Sequence, residues 1–197
     1  VKLRLLKESS YIPQIAVGAR DVAGTAVFTA EYIVMSKKFK NIDFSYGIGW
    51  GTLSGNRIKN PLTYISDDFN QRIDIKALTQ GGEVNFSKLF KGPAGYFGGA
   101  EVVIPNFGGL RFKIEYDGTD YTKEGFPYGR NSFQFAFKNV KQPSSKFNFG
   151  FIYPINKNIQ IKLAHTKGNN INFGISLNSS WGRENAVIKR DPLIEVE

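Results

Sequence analysis

Cysteine is absent from this chain and histidine occurs once, as His165, so neither a disulfide framework nor a conventional His/Cys metal centre can be assembled from its 197 residues. No apolar run approaches the roughly 18 residues that a spanning helix needs, which excludes a helical membrane protein. No run of Lys and Arg exceeds two residues, although the formal net charge is +9 and the pI near 9.6. The basic residues stand singly among hydrophobic ones, unlike the contiguous patches that grip nucleic acid. No nucleic acid is expected as a partner, and the positive charge points to a phosphorylated lipid or an acidic polysaccharide.

What the chain does have is aromatic residues, with 17 Phe and 9 Tyr, together with 21 Gly. They are arranged with a period of two. From 42 to 51, Ile42, Phe44, Tyr46, Ile48 and Trp50 share one face, and Asp43, Ser45, Gly47, Gly49 and Gly51 the other. Successive side chains of a β-strand point to opposite faces, so this stretch is a strand with one apolar side and one polar or empty side. The pattern recurs at 1–8, 14–20, 28–35, 98–104, 110–117, 146–153, 159–164 and 171–177. Phe112 and Tyr116 share the apolar face of 110–117, and Phe149 and Tyr153 that of 146–153. Arg111, Lys113, Glu115 and Asp117 share the polar face opposite Phe112. Turn-forming residues at 38–41, 105–108, 156–158 and 168–170 join neighbours closely enough to require antiparallel pairing.

These features predict an all-β fold, an antiparallel up-and-down meander of about nine or ten strands forming a transmembrane outer-membrane β-barrel or part of one. Short turns alternate with longer connections, notably the loops at 53–95 and 118–144, as periplasmic turns alternate with extracellular loops. Residues 133–137, where Phe133, Phe135 and Phe137 alternate, are kept as loop, because a tenth strand there would reverse every later one. The barrel domain covers 1–178 and a polar tail 179–197. Val1 opens directly in strand-like sequence with no initiator methionine or signal peptide, and the count of strands is odd, so the domain reads as incomplete at its N-terminal side. The glycines of the polar face are expected to let the sheet bend and to leave space in its lumen. A soluble lipocalin-like ligand-binding barrel has the same period with its apolar face turned inward, and is the alternative; so is an adhesin-type barrel acting through its loops.

No catalytic constellation, cofactor site or metal site emerges, and the chain is read as non-catalytic. Gly47, Gly49 and Gly51 alternate with apolar residues and no helix follows, so they are not a phosphate loop. The residues predicted to face the lumen are Lys2, Arg4, Arg20, Glu31, Asp43, Glu101, Arg111, Lys113, Glu115 and Lys162. They suit either cross-strand ion pairs that stiffen the interior or a path for a charged polysaccharide. Phe44, Tyr46, Trp50, Phe112, Tyr116, Phe149 and Tyr153 are predicted to meet lipid or form aromatic girdles at its interfaces. His165 falls on the apolar face at a strand end and reads as an interfacial residue.

Several stretches also resemble one family. Lys2-Leu3-Arg4-Leu5 with Glu8 and Pro13, Gly18-Ala19-Arg20-Asp21, Gly24-Thr25, Phe28, Glu31-Tyr32, Ser36-Lys37, Asp43-Phe44 and Gly47-Ile48-Gly49-Trp50-Gly51 are similar in type and spacing to the YjbH/GfcD family of Gram-negative outer-membrane proteins. So are Phe90-Lys91-Gly92-Pro93, Phe97-Gly98-Gly99-Ala100-Glu101, Glu115-Tyr116-Asp117 with Asp120-Tyr121, and Asn148-Phe149-Gly150, so that the resemblance covers most of 2–178. It implies an outer-membrane barrel with a role in exopolysaccharide or group 4 capsule biosynthesis or export. The partners it implies are outer-membrane lipid, an anionic exopolysaccharide and other envelope polysaccharide-assembly proteins. Full members are much longer than this chain, and the resemblance establishes no catalytic residues.

Overall fold

The computed structural model describes residues 1–22, 29–72, 88–121 and 143–179. They form nine strands: β1 (Lys2–Leu6), β2 (Gln14–Arg20), β3 (Ala30–Phe39), β4 (Ile42–Trp50), β5 (Ala94–Ile104), β6 (Leu110–Tyr116), β7 (Phe147–Pro154), β8 (Ile159–Thr166) and β9 (Asn170–Leu177). Each pairs antiparallel with the next in one sheet of order β1 to β9, which is the predicted meander. No α-helix occurs among the described residues. The sheet is open, with β1 and β9 as its two edges, so the closed barrel expected from the pattern is not formed by these nine strands. Antiparallel neighbours alternate in direction, so β1 and β9 run the same way; closing nine strands on themselves would require a parallel pair where every other pair is antiparallel. Most of the expected loop at 118–144 (122–142, with Phe133, Phe135 and Phe137), part of that at 53–95 (73–87), Phe28 and nearly all of the tail (180–197) fall outside the described residues.

Strand lengths differ from the predicted ones where the alternation is masked by charge. The lysines at 37 and 38 resemble a turn, yet β3 continues through Phe39, with Lys37 opposite Phe44 and Lys38 opposite Asp43. The reversal is made by Lys40 and Asn41 alone, with Lys40 at φ +50°. Similarly β5 begins at Ala94 rather than at 98, because Gly95 pairs with Gly49 and lets the two backbones run together to Trp50.

The register puts Ile33, Met35, Phe44, Tyr46, Tyr96, Phe149, Phe151, Tyr153, Leu163, Phe173 and Ile175 on one face. All of these are substantially exposed, up to 68% for Phe173. On the opposite face, Ala16, Ala30 and Val34 are buried, at 0, 0 and 8% exposure. The packing is therefore the reverse of a soluble sheet: the face rich in large apolar side chains is the open one.

The glycines of the polar face leave room at Gly150 and Gly174, in β7 and β9, but not at the loop end of β2 to β5. Tyr32 and Phe97 pack edge to face, ring centroids 6.0 Å apart, directly over glycine backbones. A Cβ on Gly18 would lie 2.4 Å from the Tyr32 ring, and one on Gly47 2.4 Å from Phe97. Gly49 is covered in the same way by Leu53, and Gly95 by the Leu53 carbonyl and the Asn56 side chain. The expected lumen space is thus occupied, at the loop end of β2 to β5, by two rings and by the first residues after β4.

Candidate functional site

Two groups of polar side chains stand out on the polar face. The first lies across β4, β5 and β6, where Asp43, Glu101 and Lys113 are register partners in one row. Lys113 Nζ sits 2.5 Å from Glu101 Oε2, and Arg111 Nη1 3.7 Å from Glu101 Oε1. Arg111 also donates to Gln160 Oε1 at 3.2 Å, and Asn148 Nδ2 donates to Glu115 Oε2 at 3.3 Å. A groove of about 540 Å³ opens there, lined by Asp43, Ser45, Glu101, Lys113 and Glu115 over the small residues Gly98 to Ala100. Three carboxylates and one ammonium line it, so within the groove acid exceeds base even though the face as a whole is basic.

Of the ten residues predicted for the lumen, Asp43, Glu101, Arg111, Lys113 and Glu115 are brought together and Lys162 shares the row of Arg111 through Ile152. Lys2 and Arg4 lie apart, on the same face of edge strand β1. Arg20 is at the loop end, where it donates to Thr52 Oγ1 at 2.7 Å. Glu31 is a correction. It shares the face of Ile33 and Met35, not that of the other charges, and is fully buried. Its carboxylate accepts from both terminal nitrogens of Arg72, at 2.6 and 2.9 Å, and from the Phe90 N–H at 3.2 Å.

Trp50 is corrected in its burial and not in its face. It stands on the apolar face as predicted but is only 1% exposed, because Phe90 packs edge-on to it with centroids 5.1 Å apart. Asn60 holds this covering together by donating to the carbonyls of Phe69 and Phe90 at 3.0 and 2.7 Å. Phe44, Tyr46, Phe149 and Tyr153 are exposed on the apolar face; Phe112 and Tyr116 share it and are half-buried. His165 lies there too, between Phe149 and Ile171. A further charge on this face, Lys37, was not singled out; it is buried at the turn end and paired with Glu8 at 3.5 Å.

The second group lies at the loop end of β6. Thr119 N–H donates to Asp117 Oδ1 at 2.9 Å, and the Tyr121 hydroxyl donates to Asp117 Oδ2. Lys167 Nζ stands 4.0 Å from the centre of the Tyr121 ring. Burial pushes the Asp117 carboxyl up, but the hydrogen bonds from Tyr121 and Thr119 and the nearby Lys167 charge outweigh it and hold the group below its ordinary value. A cavity of about 370 Å³ adjoins the cluster, lined among others by Asp117, Thr119, Asp120, Tyr121, Ser144 and Ser145. In the sequence Asp117 stands on the polar face beside Glu115 and in the resembling stretch with Asp120 and Tyr121, and nothing there links it to Lys167. The structure separates the two carboxylates by giving them different partners, and the partner Lys167 is 50 residues away in the chain.

The chain matches the family described as "Exopolysaccharide biosynthesis protein YbjH" over residues 1–196. It is 40% identical over 183 residues to a protein of Escherichia coli (strain K12) named "Uncharacterized lipoprotein YjbH", an alignment covering 92% of this chain and 24% of that protein. The chain thus spans about a quarter of the length of the curated relative it matches. No solved structure matches.

Proposed function

The chain belongs to the YjbH exopolysaccharide biosynthesis family, and from that premise we propose that its nine strands are part of a transmembrane β-barrel of the outer membrane that serves exopolysaccharide or capsule export without catalysing a reaction. The observation that carries this reading is the inverted burial of the two faces. A soluble barrel would turn Phe44, Phe149, Phe151 and Phe173 inward; here they are exposed, while the buried apolar side chains of β2 and β3, Ala16, Ala30 and Val34, lie on the opposite face. A hydrocarbon environment makes such a face favourable. The central strands β3, β4 and β5, of 10, 9 and 11 residues, are of the length that crosses it when tilted. Further strands would have to pair with β1 and β9, since an open sheet edge is not stable in lipid. The lipoprotein name of the E. coli relative is consistent with an envelope location.

In this reading the polar face lines the interior, and the polymer passes Asp43, Glu101, Arg111, Lys113 and Glu115. Lys2, Arg4, Arg20 and Lys162 add positive charge around that path and favour an anionic polysaccharide. Other envelope polysaccharide-assembly proteins would pass the polymer on. Two substitutions on adjacent residues test the orientation. Phe112→Arg should cost about 2 to 4 kcal/mol near the bilayer midplane and impair assembly, while Lys113→Ala is mild. Equal tolerance in a heat-modifiability gel would remove the lipid-facing assignment. Replacing Arg111 and Lys113 together by alanine should lower secreted polymer at normal barrel abundance, and unchanged release would leave these charges a structural ladder.

A further inference from the structure

The cavity at the loop end of β6 is lined by three separate chain segments and backed by a fourth, and backbone hydrogen bonds fix them to one another. Gly55 N–H donates to the Gly118 carbonyl at 2.8 Å, and Asp120 N–H to the Thr52 carbonyl at 2.7 Å. Asp117 N–H donates to the Lys146 carbonyl at 2.8 Å, and Ser144 and Ser145 N–H both donate to the Lys167 carbonyl, at 2.8 and 3.2 Å. Asn148 Oδ1 accepts from Lys167 N–H at 2.8 Å. The turn closes tightly on the Ser144–Ser145 wall: a Cβ on Gly168, which has φ +71°, would lie 2.4 Å from Ser144 Oγ. Walls held in this way are preorganised, so a ligand would not have to order them.

Most of the lining residues carry polar groups, without a dominant charge, although carbon makes up the larger part of the surface they present. It presents the carboxyl groups of Asp117 and Asp120, the hydroxyls of Thr119, Tyr121, Ser144 and Ser145, and Lys146; Pro143 is the one large aliphatic contribution. Lys167 on the Tyr121 ring and Lys146 offset the two acids. Carboxylates accept strongly from hydroxyl donors, and serine and threonine both donate and accept, so the set matches a molecule carrying many hydroxyl groups and no net charge. At about 370 Å³ the cavity is at the small end of ligand pockets, room for one sugar ring or two. Asp117 and Lys146 continue the polar faces of β6 and β7, by alternation from Tyr116 and Phe147. The cavity therefore stands at the end of the face that carries the groove.

We infer that this cavity is a binding subsite for a neutral sugar residue. The inference deepens the export reading given above, and rests on it for the polymer to which such a residue would belong. The site would select for hydroxyl pattern at the loop end, while the charged groove farther along the face handles the chain as a polyelectrolyte.

The test is binding in solution by the full-length protein in detergent, followed by saturation-transfer NMR with glucose, galactose, N-acetylglucosamine and glucuronate as probes. At least one neutral sugar should show transfer, and glucuronate none. Asp117→Asn, which keeps the shape but removes the charged acceptor, should weaken the neutral sugar about tenfold. Ser145→Ala serves as a second variant with less effect on the local fold. Both variants are checked for heat-modifiable migration to show that they are folded. No transfer from any neutral sugar, preferential binding of glucuronate, or unchanged affinity in both folded variants would overturn the inference. Because this readout needs neither a membrane nor secretion, its failure is separable from that of the export reading, which fails instead if Phe112→Arg is tolerated.

Discussion

Arg72→Met should destabilise the protein strongly, and adding Glu31→Gln to it should restore part of the loss. Glu31 is wholly buried and Arg72 is 17% exposed. The pair makes two parallel hydrogen bonds, and the same carboxylate accepts from the Phe90 N–H. Removing the guanidinium leaves a buried charge with one neutral donor, a loss of about 3 to 5 kcal/mol. With glutamine at 31 there is no charge to strand, and its oxygen still serves Phe90; what remains is an amide without a good acceptor, about 1 to 3 kcal/mol. The double variant should therefore be the more stable of the two by about 1 to 2 kcal/mol, roughly a tenfold change in the unfolding equilibrium. Urea unfolding in micelles, followed by tryptophan emission, is a suitable assay because Trp50 packs against Phe90 beside the pair. A double variant no more stable than Arg72→Met alone would refute the reasoning that an unpaired Glu31 charge is the main cost.

The glycine cover makes a comparison of two sites. At Gly18 the atoms a new Cβ would meet all belong to the Tyr32 ring, whereas at Gly47 the Ile33 carbonyl oxygen also lies 2.8 Å away. Gly18→Ala and Gly47→Ala should each cost about 1 to 3 kcal/mol. Tyr32→Ala should couple strongly to the first and Phe97→Ala only partly to the second, as thermal denaturation in a double-mutant cycle would measure; equal coupling would contradict the assignment. Asp117 supplies a pH dependence. Its folded-state pKa is lowered, so its contribution is present above the ordinary value of 3.8 and is lost as pH falls below it. Asp117→Asn should flatten the acid limb of the melting curve below about pH 4, and parallel curves for parent and variant would show that the carboxylate contributes nothing there.

Much of the fold was legible because a period of two is a local property. Whether Phe44 and Tyr46 share a face follows from the strand alone, and turns such as 156–158 carry their own signal, Asn156 Oδ1 accepting from Asn158 and Ile159 N–H. Where the connections are short the pairing of neighbouring strands followed in the same way, and the alternation within each strand gave the grouping of Arg111, Lys113 and Glu115 on one face. Trp50 failed through a distant contact, whereas Glu31 was expected on the polar face against its own alternation with Ile33 and Met35, and its burial is the distant part. Trp50 and Glu31 belong by alternation to an open face, but residues 60–72 and 88–92 fold back over the loop end of β3 to β5 and bury both. No period connects Glu31 with Arg72, 41 positions later.

The amino-acid sequence by itself determined the strands, their antiparallel order and the chemical contrast between the two faces of the sheet. Each of these depends on neighbours within a few residues or on the length of a turn. Only the tertiary structure decided which glycines are filled by Tyr32, Phe97 and Leu53, which charges on one face meet, and that the loop end of β6 closes into a cavity with Lys167. Those outcomes depend on how far apart parts of the chain come to rest in space, and a loop can bring any residue to such a place at a cost in entropy that grows only slowly with its length. For the same reason the nine strands leave β1 and β9 as edges: alternation sets what a strand pairs like, whereas closure depends on how many strands meet and in which directions their ends run.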